Sequence, residues 1–348
     1  MSRIAPQQLE RFVERLFLHA DVSPEVASVV SRVLVEGDLL GHHTHGVKLA
    51  QGYLRDLRSG HAKGQAASLQ VVRQSPAVVL YDADYLLGPY CVEQALDFTA
   101  RAARTFGIGV ASIRRSHHIA CLAAYLQRYT EQNLIPLVLT SDPAVASVAP
   151  HGGLDPVYTP NPLGIGIPTG DKPVLIDVSM STITNGLVNK THQAGGQLEH
   201  AALIDQDGQP TRDTATFFAT PPGAILPLGS LEFGHKGFAL GTLVEALTAG
   251  LGGFGRKDGV KQWGAAVTVL TFDPAFFGGV EELKAEMDHF VAACLESRPR
   301  VAQSPVRMPG HAGIARRTKA FEQGLELPED VLAALRTAAN EAGSDWPF

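Results

Sequence analysis

The 348-residue chain contains little cysteine, little charge and no long apolar run. Cys91, Cys121 and Cys294 are too few for a disulfide framework, and their spacing is not that of a zinc site with paired cysteines. Only 18% of the residues are charged, the net charge is −6, and no block of Lys and Arg occurs, which argues against nucleic acid as a partner. No run of eighteen apolar residues is present, and the charged N-terminal stretch has no signal-peptide cleavage site. We therefore expect a cytoplasmic protein with no membrane partner.

Common nucleotide and nucleophile motifs are also missing. The sequence has no Walker A motif and no G-x-S-x-G elbow. Its single G-x-G-x-x-G match, Gly250–Gly255, follows a predicted helix, whereas a Rossmann fingerprint lies between a strand and a helix. These glycines are therefore expected to end the helix, and a nucleotide would have to be bound by another type of loop.

The sequence is rich in apolar residues and in turn formers. Hydrophobic residues make up 45% of the chain, which also contains 35 glycines and 22 prolines. A chain of this length is expected to form about two domains. Apolar runs typical of buried strands alternate with segments of helical periodicity, which predicts an α/β sheet. Helical patterns at both termini predict a separate helical layer.

The predicted helices and strands are spread over the whole chain. The first 60 residues are expected to be helical, with helix boundaries at Ser23-Pro24, at Gly41 and at Ser59-Gly60. Further helices are predicted over 92–103, 122–129, 236–251, 280–295, 318–323 and 331–342. Strands are predicted over 77–81, 108–113, 135–140, 174–178, 201–204 and 265–272. The Pro- and Gly-rich stretch 143–170 is expected to be mostly loops.

Histidine is concentrated between the second and third predicted helices, in the sequence GHHTHG at 41–46. Three interpretations are open: metal ligands, ordinary surface or core histidines, and a general acid or base. No H-E-x-x-H pattern with nearby acids accompanies the cluster, so the metal interpretation is the least favoured. The ordinary pKa of histidine allows proton transfer near neutral pH, which favours the acid/base interpretation.

Two other places carry reactive or charged side chains. Cys121 follows His118 by three residues on a predicted helix, where the two could form a nucleophilic pair; a buried, inert cysteine is the better interpretation. Lys236 is predicted near a helix N-terminus, where lysine is unfavourable for the helix dipole. Either an anion is bound there by Lys236 and backbone N–H groups, or the lysine is exposed and tolerated at little cost.

Seven segments carry a family resemblance when they are taken in order. They are GHHTHG (41–46), RSHHIACLAAY (115–125), VAPHGG (148–153), TPNPLGIGIP (159–168), VLIDVSMS (174–181), GHKGFALGTLVEAL (234–247) and RMPG (307–310). In their order and spacing, over nearly the whole chain, they resemble the type-2 malate/L-lactate dehydrogenase family. This family includes ureidoglycolate and sulfolactate dehydrogenases, 2,3-diketogulonate reductase and the piperideine/pyrroline-2-carboxylate reductases.

The resemblance implies both a fold and a reaction. The fold is a non-Rossmann, mixed-sheet α/β dinucleotide-binding fold of the sulfolactate dehydrogenase type, with a helical layer from both termini. Residues 1–125 together with 300–348 would form a helical, substrate-side domain, and residues 126–299 the cofactor-binding domain. The reaction is hydride transfer between NAD(P)H and a small 2-oxo acid or 2-hydroxy acid, or a cyclic 2-imino acid, in a homodimer. NAD and NADP both remain candidates for the cofactor.

The resemblance also implies roles for individual residues. His45 matches the family's acid/base histidine, and Thr44 keeps the hydroxyl that a serine normally supplies before it. The positions that match cofactor contacts are His118, Ile119, Ala120, Cys121, Leu122, Asp177, Val178, Ser179, His235 and Lys236. No metal ion is implied.

Several substrate-side positions depart from the family. Leu49 stands where many members have an arginine for the substrate carboxylate, and Pro160 replaces a threonine. Leu187, with Asn185 nearby, matches the aspartate of the cyclic-imine reductases. Because leucine cannot replace the charged, bidentate contact of an arginine, we expect a substrate other than malate or lactate.

These departures leave alternatives open. Lys48 or Arg55 could take over the substrate carboxylate from the missing arginine. A dinucleotide-binding relative with a sensor or scaffold role, and a metal-dependent hydrolase built on the histidines, are the competing functions. The choice between NAD and NADP depends on charges near the adenosine ribose, where Arg316-Arg317 could contact a 2′-phosphate or simply face solvent.

Overall fold

A computed structural model of the chain describes residues 3–348. The helices are α1 (Pro6–Leu18), α2 (Pro24–Leu39), α3 (Leu49–Arg58), α4 (Gly88–Phe106), α5 (Ala123–Thr130), α6 (Asn185–Gln193), α7 (Ser230–Glu245), α8 (Val280–Glu296), α9 (His311–Gln323) and α10 (Glu329–Glu341). The strands are β1 (Gln70–Gln74), β2 (Val78–Asp82), β3 (Ile108–Ser116), β4 (Ile135–Ser141), β5 (Leu163–Ile167), β6 (Val174–Val178), β7 (Leu203–Ile204), β8 (Pro210–Thr211), β9 (Ala224–Ile225) and β10 (Ala265–Phe272). Among the described residues, every helix is too short or too polar to cross a bilayer.

Most of the strands join one mixed sheet. Its seven strands are hydrogen-bonded in the order β1-β2-β3-β10-β4-β5-β6. β1 pairs with β2 in the antiparallel sense, with Gln70 opposite Asp82, and β2 pairs with β3 in the parallel sense, with Val78 opposite Val110. A separate three-stranded antiparallel sheet has the order β8-β7-β9. The α/β class predicted from the sequence is confirmed.

Several elements differ from the sequence-based expectation. β5 lies inside the stretch 143–170, which was expected to be mostly loops and for which no strand was predicted. The glycines in this strand allow it to lie close to α5, because a Cβ on Gly164 would lie 2.8 Å from Leu122 Cβ and one on Gly166 would lie 2.6 Å from Thr130 Cγ2. α7 begins at Ser230, six residues before the predicted start, directly after Gly229 with its φ of 99°. It continues into a π-helical turn, Ala246–Gly250, and the glycines that follow end the helix as predicted.

The chain divides into two compact units. The first comprises Met1–Val138, Gly164–Asp177 and Val269–Phe348, and the second comprises Leu139–Leu163 and Val178–Thr268. The assignment of a substrate-side role to 1–125 with 300–348, and of a cofactor role to 126–299, stays a proposal.

The core of the first unit is centred on α2. Pro24 at the first helical position and an apolar face repeated every three to four residues explain this helix, which packs against α1, α4, α5 and α9. Val26, Val30, Val33 and Leu34 are fully buried, and each such side chain stabilises the fold by roughly 1.5–3 kcal/mol. α3 packs against α10. Helices from both termini therefore share one layer, as predicted.

The second unit has its own small core. Its three-stranded sheet packs with α6 and with the segment around Val148 and Tyr158. Asn161 is fully buried in a left-handed conformation (φ 47°), and its Nδ2 donates hydrogen bonds to the carbonyl oxygen of Gly241 and to Glu245 Oε1. Asn161 therefore fixes the Pro-rich segment around it to α7.

Candidate active site

The predicted acid/base histidine lies in a short turn between α2 and α3. α2 ends at Leu39, and the chain turns away from the helix axis at Gly41. The φ of 92° at this position favours glycine. The backbone N–H of His42 donates to the carbonyl oxygen of Gly37 at 2.8 Å, and the N–H of His45 donates to that of His42 at 2.8 Å. The turn is thereby fixed before α3 begins at Leu49.

Asp38 in the last turn of α2 anchors this segment. Its side chain is buried, Oδ1 lies 2.7 Å from His43 Nδ1, and Oδ2 accepts a hydrogen bond from the Val47 N–H at 2.6 Å. Gly46 passes so close that a Cβ there would lie 2.1 Å from Asp38 Oδ2. Burial raises the pKa of Asp38, while the contacts with His43 and Val47 oppose that rise. The sequence reasoning missed Asp38, although an acid near a helix C-terminus is unfavourable for the dipole and signals another role.

The imidazole of His45 is oriented by its neighbour. His45 Nδ1 lies 2.9 Å from Thr44 Oγ1, which leaves Nε2 available to a reacting group. The His45 ring is tilted by 30° against that of His118, with the ring centroids 5.7 Å apart. Burial lowers the pKa of His45. The negative charge of Asp177 raises this pKa, whereas the nearby His42 lowers it further. The structure thus brings together Thr44, His45, His118 and Asp177, all predicted site residues.

The segment that carries His118 is tied to α3. The hydroxyl of Tyr53 lies 2.9 Å from His118 Nδ1 and 2.9 Å from the His118 carbonyl oxygen. His117 Nε2 lies 3.2 Å from Asp56 Oδ2, and this contact lowers the pKa of Asp56. Burial, helped by the neighbouring His45 and His117, lowers the pKa of His118 well below its ordinary value, so His118 is neutral at neutral pH. Tyr53 appeared in the sequence only as part of an apolar stripe.

The backbone around His118 is tightly packed and strained. A Cβ on Gly88, the first residue of α4, would lie 2.4 Å from the His117 carbonyl oxygen and 2.5 Å from that of His118. Arg115 and Ala120 adopt positive φ angles of 53° and 58°, a left-handed conformation that costs energy in residues other than glycine. Such strain is concentrated at functional segments, which agrees with a role for this loop.

Asp177 connects the end of β6 to the start of α5. Its Oδ2 accepts a hydrogen bond from the Ala123 N–H at 2.9 Å, where a carboxylate is favourable for the helix dipole. Cys121 Sγ lies 3.6 Å from the same oxygen. Burial, with the charge of Asp177, raises the pKa of Cys121 well above its ordinary value. Cys121 is therefore a buried thiol beside a carboxylate, in agreement with the interpretation that it is not a nucleophile.

Three metal-ligating side chains meet at this corner. His42, Cys121 and Asp177 each have a ligating atom, and these atoms lie within 4.8 Å of one another. The sequence reasoning considered the histidines and Cys121 separately and missed the cluster. Its members come from three distant segments, so only the fold brings them together.

Ile119 and Leu122 are buried in the first unit, whereas Val178, Ser179, His235 and Lys236, the remaining predicted cofactor residues, lie in the second. Val178 is exposed, and Ser179 Oγ donates a hydrogen bond to the Ser181 carbonyl oxygen at 3.2 Å. The His235 ring lies 5.7 Å from the ring of His151. A cavity of about 250 Å³ lies near the start of α7 and is lined by Ala149, Pro150, His151, Gly152, Gly153, Leu154, Ile204, Gly208, Leu226, Pro227, Ser230 and Leu231. This volume is too small for a whole dinucleotide.

The predicted location of Lys236 at a helix N-terminus is wrong. α7 starts at Ser230, because Gly229 supplies the left-handed turn that admits the helix, so Lys236 lies in its second turn. Its ammonium group lies 5.4 Å from the ring centroid of Phe233, a cation–π contact. The helix dipole therefore gives no argument for an anion at Lys236.

The substrate-side residues are distributed over both units. In the first, Leu49 begins α3. In the second, the Pro160 carbonyl oxygen accepts a hydrogen bond from the Met180 N–H at 2.7 Å. Asn185 begins α6, and the backbone N–H of the exposed Leu187 donates to Thr184 Oγ1 at 3.2 Å.

Cations proposed as ligand contacts already have protein partners. Lys48 Nζ lies 2.7 Å from Asp330 Oδ2, and Arg55 is highly exposed with Nε 3.6 Å from Asp56 Oδ1. Arg316 donates to the Leu40 carbonyl oxygen at 3.0 Å, and Arg317 Nε lies 2.7 Å from Glu36 Oε1. Arg316 and Arg317 therefore connect α9 to α2, and neither simply faces solvent.

Comparison with known proteins places the chain in a family. Residues 4–336 match the family model described as malate/L-lactate dehydrogenase. The malate/(S)-sulfolactate dehydrogenase of Methanothermus fervidus is 26% identical over 97% of each chain, and the Δ1-pyrroline-2-carboxylate/Δ1-piperideine-2-carboxylate reductase of Pseudomonas putida is 29% identical over 96% of each. The solved sulfolactate dehydrogenase of Methanocaldococcus jannaschii has the same fold, with a TM-score of 0.86 at 24% identity, over 99% of this chain and 98% of that one. The chain therefore belongs to the malate/L-lactate dehydrogenase family and is an oxidoreductase of that family.

Proposed function

We propose that the protein transfers a hydride between NAD or NADP and a small 2-oxo or 2-hydroxy acid, or a cyclic 2-imino acid. His45 is the proton donor in reduction and the proton acceptor in oxidation. The observation that carries this proposal is the orientation of the His45 imidazole. Thr44 Oγ1 lies 2.9 Å from Nδ1, so Nε2 is left for the substrate. The substrate classes agree with those named for the two relatives, a malate/sulfolactate dehydrogenase and a cyclic-imine reductase.

The acid/base step follows from the position of His45. When a hydride adds to the carbonyl or imine carbon, the oxygen or nitrogen gains electron density and needs a proton. Protonated His45 donates that proton from Nε2, and in the reverse direction neutral His45 accepts it. Asp177 supplies negative charge that favours the protonated form, against the effect of burial.

Residues of the first unit fit a nicotinamide dinucleotide. Asp177 offers a carboxylate that can accept hydrogen bonds from ribose hydroxyls, and His118 is neutral, so it can donate or accept without adding charge. The bound nicotinamide would supply or accept the hydride, and the protein would position the reactants. The positions proposed from the family resemblance are His118, Ile119, Ala120, Cys121, Leu122, Asp177, Val178, Ser179, His235 and Lys236.

A panel of 2-oxo acids and cyclic imines, assayed with NADH and with NADPH, tests the activity by the loss of nicotinamide absorbance. His45→Ala should lower kcat by about 10²- to 10⁴-fold, the usual contribution of a general acid or base. Its Kd for the cofactor, measured by fluorescence titration, should stay within about twofold because His45 acts on the substrate. The matched control is His19→Ala, an exposed histidine at the end of α1. Equal loss of turnover and cofactor binding would contradict the assignment.

A sensor or scaffold role is the second candidate. It is favoured by Leu49 and Leu187, which replace polar substrate-side groups of the family. The same assay separates the two functions, because a sensor would bind the dinucleotide without turning over any member of the panel.

A homodimer is proposed for the assembly. α7 presents the exposed apolar side chains of Leu231, Phe233, Leu240 and Leu243 to its surroundings, and grouped apolar exposure is typical of interaction surfaces. Phe233→Glu should shift the sedimentation coefficient to that of a monomer. Phe277→Glu, a substitution of an even more exposed phenylalanine outside α7, should leave the dimer intact.

A further inference from the structure

The histidine turn brings a second histidine, His42, to two other metal-ligating side chains. The ligating atoms of His42, Cys121 and Asp177 lie within 4.8 Å of one another. They come from the turn after α2, the loop before α5 and the end of β6. An imidazole, a thiol and a carboxylate form a mixed donor set that suits a borderline-soft divalent cation better than a hard one.

The distances fit a tetrahedral zinc ion. Cys121 Sγ and Asp177 Oδ2 are 3.6 Å apart. Two such ligands on one zinc ion, at Zn–S of about 2.3 Å and Zn–O of about 2.1 Å, would be separated by about 3.6 Å in a tetrahedron. Asp177 is already fixed by the Ala123 N–H at 2.9 Å, so two of the three ligands are in place. The ligating nitrogen of His42 lies within 4.8 Å of the other two ligands, and rotation of this side chain can bring it closer.

We propose that His42, Cys121 and Asp177 form a binding site for Zn²⁺. The three protein ligands leave the fourth tetrahedral position to water. The thiol proton of Cys121 is released to solvent when the sulfur–zinc bond forms, and no electron is transferred. The hydrogen bond from Cys121 to Asp177 is replaced by coordination of both groups to the same ion.

Zinc binding has a consequence for the enzyme that rests on the proposed function. Cys121 and Asp177 are both among the proposed cofactor contacts. An ion that engages them competes with the dinucleotide, so Zn²⁺ should act as an inhibitor that is competitive with the cofactor. At a zinc concentration ten times its Kd, the apparent KM for the cofactor should rise about tenfold, and a chelator should reverse this.

The site itself is tested without any activity measurement. Chelator-treated protein is titrated with Cd²⁺, which reports thiolate coordination by an ultraviolet charge-transfer band. We expect the band to saturate at one equivalent in the wild type and in Cys294→Ser, which removes the partly exposed thiol on α8. Cys121→Ser should abolish the band. His42→Ala should keep it but weaken the affinity at least about tenfold, because a ligand contributes no less than an outer-shell partner.

The absence of a band in the wild type would overturn the site, and so would a band that persists in Cys121→Ser. Cys121 is buried, so Cys121→Ser could lose the band through misfolding. His42→Ala is a separate test that should not disturb the fold, because His42 lies in an exposed turn. Full affinity in His42→Ala would likewise refute the three-ligand site. Inhibition is measured separately, with Zn²⁺ against NADH or NADPH. A cadmium band without competition would overturn the inhibitory role, whereas a protein that turns over no substrate would refute the proposed function and leave the metal test valid.

Discussion

Asp38 Oδ1 lies 2.7 Å from Nδ1 of His43 and ties the end of α2 to the turn that carries His45. The other carboxylate oxygen accepts the Val47 N–H at 2.6 Å, so one buried side chain spans both ends of the turn. Among the described residues, the side chain of Asp38 is hydrogen-bonded to His43 and Val47 and not to His45. We infer that Asp38 is a positioning residue for His45, the proposed general acid, since small displacements of such a group reduce the rate strongly.

Asp38→Asn tests this role. The amide keeps the volume but removes the negative charge and replaces one acceptor by a donor, so the contact with His43 is weakened. We expect the free energy of unfolding to fall by about 1–3 kcal/mol and kcat to fall about tenfold, with the cofactor KM unchanged. Steady-state kinetics and urea denaturation measure both. Glu36→Gln is the control, because Glu36 lies on the same helix and pairs with Arg317, outside the turn. A loss of stability without any change in kcat would refute the positioning role.

Gly46 provides a second test of the same contact. A Cβ at Gly46 would lie 2.1 Å from Asp38 Oδ2, and the buried carboxylate has no room to withdraw. Gly46→Ala should therefore cost about 1–3 kcal/mol of unfolding free energy, as overpacking does. Gly52→Ala is the matched substitution in α3, where the nearest atom to the new Cβ is 3.9 Å away. It should stabilise the protein by about 0.5–1 kcal/mol because alanine is the better helix former. If the denaturation midpoints of both variants shift in the same direction from that of the wild type, the packing argument is contradicted.

Thr44 should influence the rate through His45. Thr44→Val removes the hydroxyl that lies 2.9 Å from His45 Nδ1 but keeps the shape of the side chain. The loss of one hydrogen bond, about 0.5–1.5 kcal/mol, predicts a fall in kcat of about two- to tenfold. Thr44→Ser retains the hydroxyl and should restore most of the rate. If Val and Ser give the same kcat, the hydroxyl has no part in orienting the imidazole.

Local patterns predicted much of the fold. β6 and β10 occupy the predicted residues, because each is a mainly apolar run bounded by turn formers. β5 was missed because its apolar residues alternate with Gly164 and Gly166, and glycine signals a loop when no neighbour is known. The start of α7 was missed because its first turn exposes apolar side chains, which masks the helical periodicity.

Residue patterns alone point to the candidate site only where their signal is local. The histidine turn is visible in six consecutive residues, and it contains His45 and Thr44. Asp38, Tyr53 and the Cys121–Asp177 contact depend on pairs that are 9, 65 and 56 residues apart in the chain. Without an alignment or a fold, no pattern connects such pairs. The resemblance to the family supplied Asp177 and His118 as candidates but not their partners.

The pH dependence of the two directions should differ because burial lowers the pKa of His45 from its ordinary value of 6.5. Reduction needs the protonated imidazole, so its kcat/KM should be highest at acidic pH and fall as the pH rises through this lowered pKa. Oxidation needs the neutral form, so its kcat/KM should rise over the same interval and stay high at neutral pH. The midpoint of both curves should lie below 6.5, and it reports the pKa of the free enzyme.

Asp177 and His42 set where that midpoint falls. The negative charge of Asp177 raises the pKa of His45, and the nearby His42 lowers it. Asp177→Asn removes the favourable charge, so the midpoint should move to lower pH in both directions of the reaction. The measurement is kcat/KM for the acid substrate over a range of pH, with the cofactor at saturating concentration. Saturation is needed because Asp177→Asn is also expected to weaken cofactor binding. A midpoint above 6.5 in the wild type, or one that moves to higher pH in Asp177→Asn, would mean that another group controls the proton transfer.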